Sequence, residues 1–151
     1  MGVSYQPAGP GPISGERTLV ELLRRLLKVL AALWLIWSLA IGLVPRWVME
    51  DLFGQPVLAD YVWVRAAAVM GVVLALLMVL VAQKIDELWW WSWAFAVLEV
   101  GTATVFAINA AFGVPDGADA WPFWALAIVN GGFGAGLLVG MGIGGQEKPF
   151  V

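Results

Sequence analysis

Residues 29–44 read VLAALWLIWSLAIGLV, a run of sixteen positions without a charged side chain, and the run ends at Pro45. Just before it, LVELLRRLLKVL places its charged residues on one helical face and leucine and valine on the other. A helix needs ~20 mostly apolar residues to cross a ~30 Å hydrocarbon layer. The stretch therefore predicts a first membrane-spanning helix over about residues 20–44.

The composition of the whole chain also indicates a protein that lies in a lipid membrane. Of its 151 residues, 62% are hydrophobic and 13% are charged, and the mean hydropathy is +0.87. A soluble domain is roughly 25% charged, and one of this size cannot hide so much apolar surface. Three further apolar runs, about 61–83, 88–112 and 121–143, follow the first. We expect an all-α, polytopic membrane protein built as a bundle of four transmembrane helices.

The chain is predicted to consist of two tails and a membrane domain between them. Residues 1–17 are rich in proline and glycine and are predicted to form a mobile tail, residues 18–145 the membrane domain, and residues 146–151 a second tail. The pattern Thr18-Leu-Val-Glu21 is typical of a capping box at the start of the first helix.

The connection after the first span mixes charged and aromatic residues. Residues 46–54 are too few to cross a membrane and fit a short interfacial turn of helix. Asp60 is expected to cap the second span, since aspartate is a preferred residue at helix starts.

Missing residue types remove several functions. The chain has no cysteine and no histidine, which excludes disulfides, zinc–thiolate sites and nucleophilic catalysis with a histidine base. The net charge is −3 and no long basic run occurs, so nucleic-acid binding is not expected. We expect no catalytic residue, no metal site and no cofactor, and hence a protein that is not an enzyme.

Charge asymmetry predicts the topology. Four spans place both termini on one side, together with six of the eight basic residues: Arg17, Arg24, Arg25, Lys28, Lys84 and Lys148. Only Arg46 and Arg65 lie toward the other side. The positive-inside rule then predicts a multi-pass protein of the plasma (inner) membrane with cytoplasmic termini. The face formed by Arg24, Arg25 and Lys28 is expected to anchor to anionic lipid head groups, or alternatively to a protein partner.

Glu99 is the most informative single residue. It lies about 16 Å into the third span, near the membrane midplane, where a carboxylate costs at least a few kcal/mol. Neighbours at steps of three and four predict an inward face on this helix: Ser92, Phe95, Glu99, Thr102, Phe106 and Asn109.

Two other polar residues are candidates to meet Glu99. Asn130 lies at about the same depth in the fourth span, and Arg65 enters the second span from the other side. A buried polar cluster of Arg65, Glu99 and Asn130 would satisfy all three groups. Such a cluster either locks the bundle, as polar groups between membrane helices do, or forms a proton or substrate site. A lipid-facing, protonated Glu99 is the third alternative.

Most tryptophans lie at the predicted membrane boundaries and are interpreted as interfacial anchors. Trp34 and Trp37 fall inside the first span, where we expect them to pack in the apolar bundle.

Glycine recurs in the fourth span at a fixed spacing. Gly132, Gly136, Gly140 and Gly144 form a ladder of four-residue steps, and small residues at this spacing let two membrane helices approach closely. This helix-association seam packs within the chain, against a second copy in a homo-oligomer, or against a heterologous membrane subunit.

The layout resembles a known family. A first helix that ends in a proline, a short aromatic turn (residues 43–54, LVPRWVMEDLFG) and three more spans in about 150 residues are similar to the small bacterial four-helix proteins of the DoxX-like kind. The resemblance covers residues 20–143 in layout and carries no catalytic motif. It implies an inner-membrane protein, in some members associated with quinone-linked oxidoreductases.

Three functions are compatible with these features. The first is a non-enzymatic accessory or scaffolding subunit that works by helix–helix association in the lipid bilayer. The second is a small proton-coupled transporter that uses Arg65, Glu99 and Asn130. The third is an accessory subunit of a quinone-linked membrane oxidoreductase.

Overall fold

The computed structural model describes residues 14–114, 116 and 118–145. Within this part the chain forms helices and the turns between them, and no strand. The elements in chain order are α1 (Ser14–Leu43), a π-helical turn (Trp47–Leu52), α2 (Val62–Gln83), the short α3 (Ile85–Leu88), a 3-10 turn (Trp89–Trp91), α4 (Ser92–Phe112) and α5 (Trp121–Gly145).

Four segments are long and apolar enough to cross a membrane, namely Val20–Leu43, Val62–Gln83, Ile85–Phe112 and Trp121–Gly142. The predicted all-α bundle of four membrane helices is therefore confirmed.

The start of α1 differs from the expectation. The helix begins at Ser14, so the proposed capping box at Thr18 lies inside it, and residues 14–17 do not belong to a tail. Extending an existing helix adds one hydrogen bond per residue and costs far less than nucleating a new one. Pro12, which a helix interior would not tolerate, lies two positions before the start. The other predicted tail residues, 1–13 and 146–151, lie outside the described part.

The connection between α1 and α2 agrees with the sequence pattern. Residues 47–52 form one turn of π-helix, which ends before Gly54, whose φ is +60°. A side chain there would be strained, and it would also meet the Cβ atom of Ala118 at 2.5 Å. The Asp60 carboxylate accepts a hydrogen bond from the Val62 backbone N–H at 3.0 Å. The N-cap position itself is held by Tyr61, whose side chain forms no capping bond, so Asp60 supports the start of α2 from one position earlier than a cap.

Small side chains bring α1 and α2 together. On α2 the buried residues facing α1 include Ala68, Gly71 and Ala75, spaced by three and four positions. Gly71 packs against the buried Ser38, and Gly42 lies against Ala68. The later residue of α1 contacts the earlier residue of α2 in these two pairs, so the two helices are antiparallel neighbours. Ala68, Gly71 and Ala75 thus form a small-residue seam on α2 in addition to the glycine ladder predicted on the fourth span.

Helix α5 packs on both α4 and α1. A Cβ atom added to Gly134 would lie 2.8 Å from Val100 Cγ2 and 3.2 Å from its backbone nitrogen, so the two backbones approach closely there. Toward α1, Gly140 lies against Leu23 and Gly136 against Leu26. Helices α1 and α5 thus join the α1–α2 pair to the α4–α5 pair.

The interior contains two separate cores. We call the end of the bundle where α1 begins and α5 ends the terminal end, and the opposite end the loop end. The terminal core is mainly aliphatic and consists of Leu23, Leu27, Leu30, Ala31, Met78, Val81, Ala82, Ile85, Phe95, Ala96 and Leu137. The loop-end cluster consists of Val48, Phe53, Ala110 and Phe123, with partly buried residues including Trp37, Ile41 and Phe106 packed around it.

Candidate functional site

Glu99 is wholly buried, with 0% of its surface exposed. Its Oε1 atom accepts a hydrogen bond of 2.6 Å from the indole Nε1 of Trp34 on α1. Because both residues lie near the middle of their spans, this bond joins α1 to α4 deep within the bundle. Trp34 therefore holds the Glu99 carboxyl group in place and removes part of the cost of burying it.

The second oxygen of the carboxyl group has no such partner. Glu99 Oε2 and Ser92 Oγ are buried side-chain atoms without a hydrogen-bond partner in the described part of the chain. Both belong to α4 and lie seven residues apart, which is two helical turns or about 10 Å on one face. Buried polar atoms without partners are rare and costly in folded proteins.

The predicted inward face of α4 is confirmed. Ser92, Phe95 and Glu99 are buried, whereas Thr102, Phe106 and Asn109 are half-buried. The face is closed toward the terminal end and becomes more open toward the loop end.

The expected contact of Glu99 with Arg65 is not formed. The Arg65 side chain is exposed, near the loop end of α2, where the neighbouring Ala68 lies against Gly42 of α1. Glu99 is level with Trp34, and eight residues of helix, about 12 Å, separate Trp34 from Gly42. Arg65 lies in the first turn of α2, and its side chain does not extend inward to Glu99 as expected.

Asn130 also has a different partner. Its Nδ2 atom donates a 2.6 Å hydrogen bond to the backbone carbonyl of Leu126, one turn earlier on α5. Glu99 lies instead against Gly134, four residues, or about 6 Å, further along α5. The predicted three-residue polar cluster is thus wrong, and Glu99 pairs with Trp34 instead.

A cavity of about 300 Å³ lies beside the loop-end cluster. Its wall combines α1, the π-helical turn, α4 and α5, and its lining residues are Trp37, Ile41, Val48, Met49, Phe53, Gln55, Phe106, Asn109 and Phe123. Phe106 and Asn109 belong to the same α4 face as Glu99. The cavity and the carboxyl group therefore lie along one face of one helix.

An ion pair and a hydroxyl–carboxylate hydrogen bond fix the π-helical turn that lines this cavity. The Tyr61 hydroxyl donates to Glu50 Oε1, and Arg46 Nε donates to Glu50 Oε2 at 3.1 Å. The Tyr61 hydroxyl, together with Arg46, holds the pKa of Glu50 below its ordinary value, and the same bond raises the pKa of Tyr61. Met49, in the same turn, lines the cavity.

The glycine ladder divides between two environments. Gly136 and Gly140 lie against α1, whereas a Cβ atom on Gly132 would have no neighbour within 4 Å. Gly144 lies outside the residues whose side-chain surroundings are described. Half of the predicted seam therefore packs inside this chain, and Gly132 faces outward.

Basic residues at the terminal end are only partly free to meet lipid. Arg24 and Arg25 both bond to Glu21 at 3.0 Å, and Arg24 also lies 3.5 Å from Asp86 of α3. Arg25 and Lys28 are exposed. Head-group anchoring by this face stays a prediction.

Two important residues were not assigned by sequence reasoning. Trp34 was interpreted as apolar packing, although its indole N–H needs an acceptor and Glu99 lies at a similar depth. Gly134 forms the close approach to α4 but lies off the four-residue ladder. Its signal was the second small-residue set, Gly131 and Gly134, on the other side of α5.

Comparisons with models of known protein families, with curated proteins and with solved structures found no match for the chain.

Proposed function

We propose that the protein is a small proton-coupled membrane transporter in which Glu99 carries the proton. One observation carries the proposal: Glu99 is wholly buried near the middle of the third span, and its Oε2 atom has no hydrogen-bond partner among the described residues. Ionisable groups inside membrane spans are rare and are typical of proton and substrate pathways.

The hydrogen bond from Trp34 supports this role. It fixes Oε1 and leaves Oε2 to take or release a proton. A purely structural glutamate would use both oxygens, since each unpaired buried acceptor costs about 1–3 kcal/mol.

Polar groups on both sides of Glu99 support a route along α4. Ser92 lies about 10 Å toward the terminal end and Asn109 about 15 Å toward the loop end, on the same helical face. Ser92 Oγ has no partner in the described residues, and Asn109 lines the loop-end cavity.

Carbodiimide labelling tests whether Glu99 exchanges protons. Dicyclohexylcarbodiimide enters membranes and reacts with protonated carboxyl groups, and mass spectrometry of peptides locates the product. We expect labelling of Glu99 in vesicles, decreasing as the pH rises, because only the protonated acid reacts. A folded protein whose Glu99 stays unlabelled at every pH contradicts the proposal.

The variant Glu99→Gln supplies the second measurement. Its amide oxygen still accepts from Trp34, so folding is retained, but it carries no exchangeable acid proton. In pyranine-loaded vesicles without substrate, proton leak through Glu99 of the wild-type protein should dissipate an imposed pH gradient at least about tenfold faster than this variant does. Equal rates, with both proteins folded, reject uncoupled proton leak through Glu99, and the labelling result then decides the proposal.

Association through α5 is the second candidate function. A Cβ atom added to Gly132 or Gly142 would meet none of the described atoms within 4 Å, which favours an accessory or scaffolding role through the outward face of α5. Gly132→Leu should then separate an oligomer or heterologous complex without unfolding the monomer. Gly140→Leu should instead destabilise the monomer, because the new leucine side chain would collide with Leu23. Native mass spectrometry distinguishes the two results.

Location in the plasma membrane with cytoplasmic termini belongs to the same proposal and is supported by the six-to-two distribution of basic residues. A reporter that is active only in the periplasm, fused after Val151, should stay silent. Membership of the DoxX-like kind likewise stays a proposal based on layout.

A further inference from the structure

We propose that the loop-end cavity binds an uncharged amphiphile with a flat ring system and one hydroxyl or carbonyl group. This inference goes beyond the proposed function, because binding in the cavity does not require Glu99 to carry a proton.

The size of the cavity suits a small ligand. Its volume is about 300 Å³, at the lower end of the range for small-molecule pockets, which is roughly 300–1,000 Å³. Several lining residues are half-buried rather than buried, so the cavity is open on one side. It lies where the spans end, and an amphiphile dissolved in the lipid can reach it.

The aromatic lining of the cavity favours a ligand that contains a flat ring system. Four of the lining side chains are aromatic, namely Trp37, Phe53, Phe106 and Phe123. Trp37 meets Phe53 edge-on at a centroid distance of 5.8 Å, and Phe53 meets Phe123 at 4.7 Å. Aromatic rings prefer such tilted and edge contacts at 4.5–7 Å, and a flat ligand can extend the cluster in the same geometry.

The polar lining groups select a neutral head group. Among the described residues that line the wall, Asn109 and Gln55 carry carboxamides and none is charged. Gln55 Nε2 already donates to the Phe53 carbonyl at 3.4 Å, whereas the Asn109 carboxamide forms no side-chain hydrogen bond to any other described residue. A hydroxyl or carbonyl can bond to Asn109, while a charged head group would lose its hydration without a counter-charge.

Equilibrium dialysis of the purified protein in neutral detergent micelles provides the test. The probes are 1-naphthol, naphthalene and 1-naphthalenesulfonate, with empty micelles as the blank. We expect saturable binding of 1-naphthol and binding of the sulfonate that is at least about tenfold weaker.

Two identical substitutions form the matched pair of variants. Ile41→Phe fills the cavity from α1, whereas Ile108→Phe adds the same bulk to an exposed position of α4 that does not line the cavity. The first should raise the Kd for 1-naphthol at least about tenfold and the second less than about twofold. If Ile41→Phe does not fold, Met49→Trp fills the same space from the π-helical turn.

Asn109→Leu tests the head group. It should raise the Kd for 1-naphthol about three- to tenfold, the worth of one hydrogen bond, and leave naphthalene binding unchanged. Equal binding to the two Ile→Phe variants, or equal binding of naphthol and sulfonate, overturns the inference. If the wild-type protein does not bind 1-naphthol but its Glu99 is labelled by the carbodiimide, the ligand site alone is rejected. If it binds 1-naphthol but Glu99 stays unlabelled, the proton site alone is rejected.

Discussion

The two halves of the bundle are packed in different ways. In the terminal core, aliphatic side chains such as Leu27, Met78 and Ile85 are completely buried. At the loop end, aromatic rings meet around a cavity; Phe53 and Phe123 are buried, whereas Trp37 and Phe106 remain partly exposed. Glu99 and Trp34 lie between the two regions.

The difference has a physical basis in the side chains. Aliphatic residues interdigitate and fill space to the density of a crystal, whereas rings joined by edge contacts leave gaps between them. The terminal core therefore holds the helices in register, and the loop end retains an open cavity. The Glu99 carboxyl group at the boundary has a tightly packed region on one side and the cavity on the other.

The largest effect is expected at the point where α4 and α5 approach most closely. Gly134→Val would place a branched side chain against Val100, including its backbone nitrogen at 3.2 Å, so one helix must shift. We expect the free energy of unfolding in an SDS titration to fall by about 3 kcal/mol. Gly132→Val, two residues away with open space around it, should change it by less than about 0.5 kcal/mol. Equal effects would mean that α4 and α5 are not rigidly packed.

Side-chain truncations should show the next largest difference in unfolding free energy between the two halves. Leu27→Ala removes a wholly buried side chain from the terminal core and should cost about 2 kcal/mol of unfolding free energy. Ile41→Ala should cost less than about 1 kcal/mol, because Ile41 already borders the cavity. The same SDS titration measures both, and a larger loss for Ile41→Ala would contradict the contrast between the cores.

The boundary between the halves gives a smaller effect. Trp34→Phe keeps an aromatic ring but leaves Glu99 without its indole donor, and we expect a loss of about 1–2 kcal/mol. Trp37→Phe, a matched change in the loop-end cluster, should cost less than that. The difference should disappear in the Glu99→Leu background, since no acceptor is left there. Persistence of the difference would show that Trp34 acts by packing alone.

The sequence predicted the parts of this fold that depend on one helix at a time. The four apolar runs and the inward face of α4 follow from local pattern, because hydrophobicity and periodicity determine which segments span and which side turns inward. The partner of Glu99 depends on how α1 is rotated about its axis and on the relative depth of two helices. The pattern within one helix determines neither quantity, so it predicts neither the bond from Trp34 to Glu99 nor the exposure of Arg65.

The glycine pattern illustrates the same limit. A four-residue spacing indicates a face suited to close packing, but several small-residue faces exist on α5. Gly134 meets α4, Gly140 meets α1, and Gly132 meets nothing within 4 Å. Which face is used depends on the positions of the other helices.

The smallest effect concerns pH and the turn that closes the loop end. The Tyr61 hydroxyl and Arg46 hold the pKa of Glu50 below its ordinary value of 4.5. The contribution of ionised Glu50 to stability is therefore present above pH 4.5 and is lost as the pH falls below that value through the folded-state pKa. For Tyr61 the folded pKa is raised above 10.0, so its contribution is present below pH 10.0 and is lost as the pH rises through the raised value.

Because this network fixes the wall that carries Met49, both losses should affect the loop end before the terminal core. We expect 1-naphthol binding to weaken below pH 4.5 while circular dichroism still reports full helix content. Glu50→Gln should bind more weakly at neutral pH and lose this acid dependence, because its amide does not ionise. Tyr61→Phe should reduce the dependence by removing the donor. If acid melts the helices at the same pH at which binding is lost, the two halves unfold as one unit and the contrast between them does not extend to their stability.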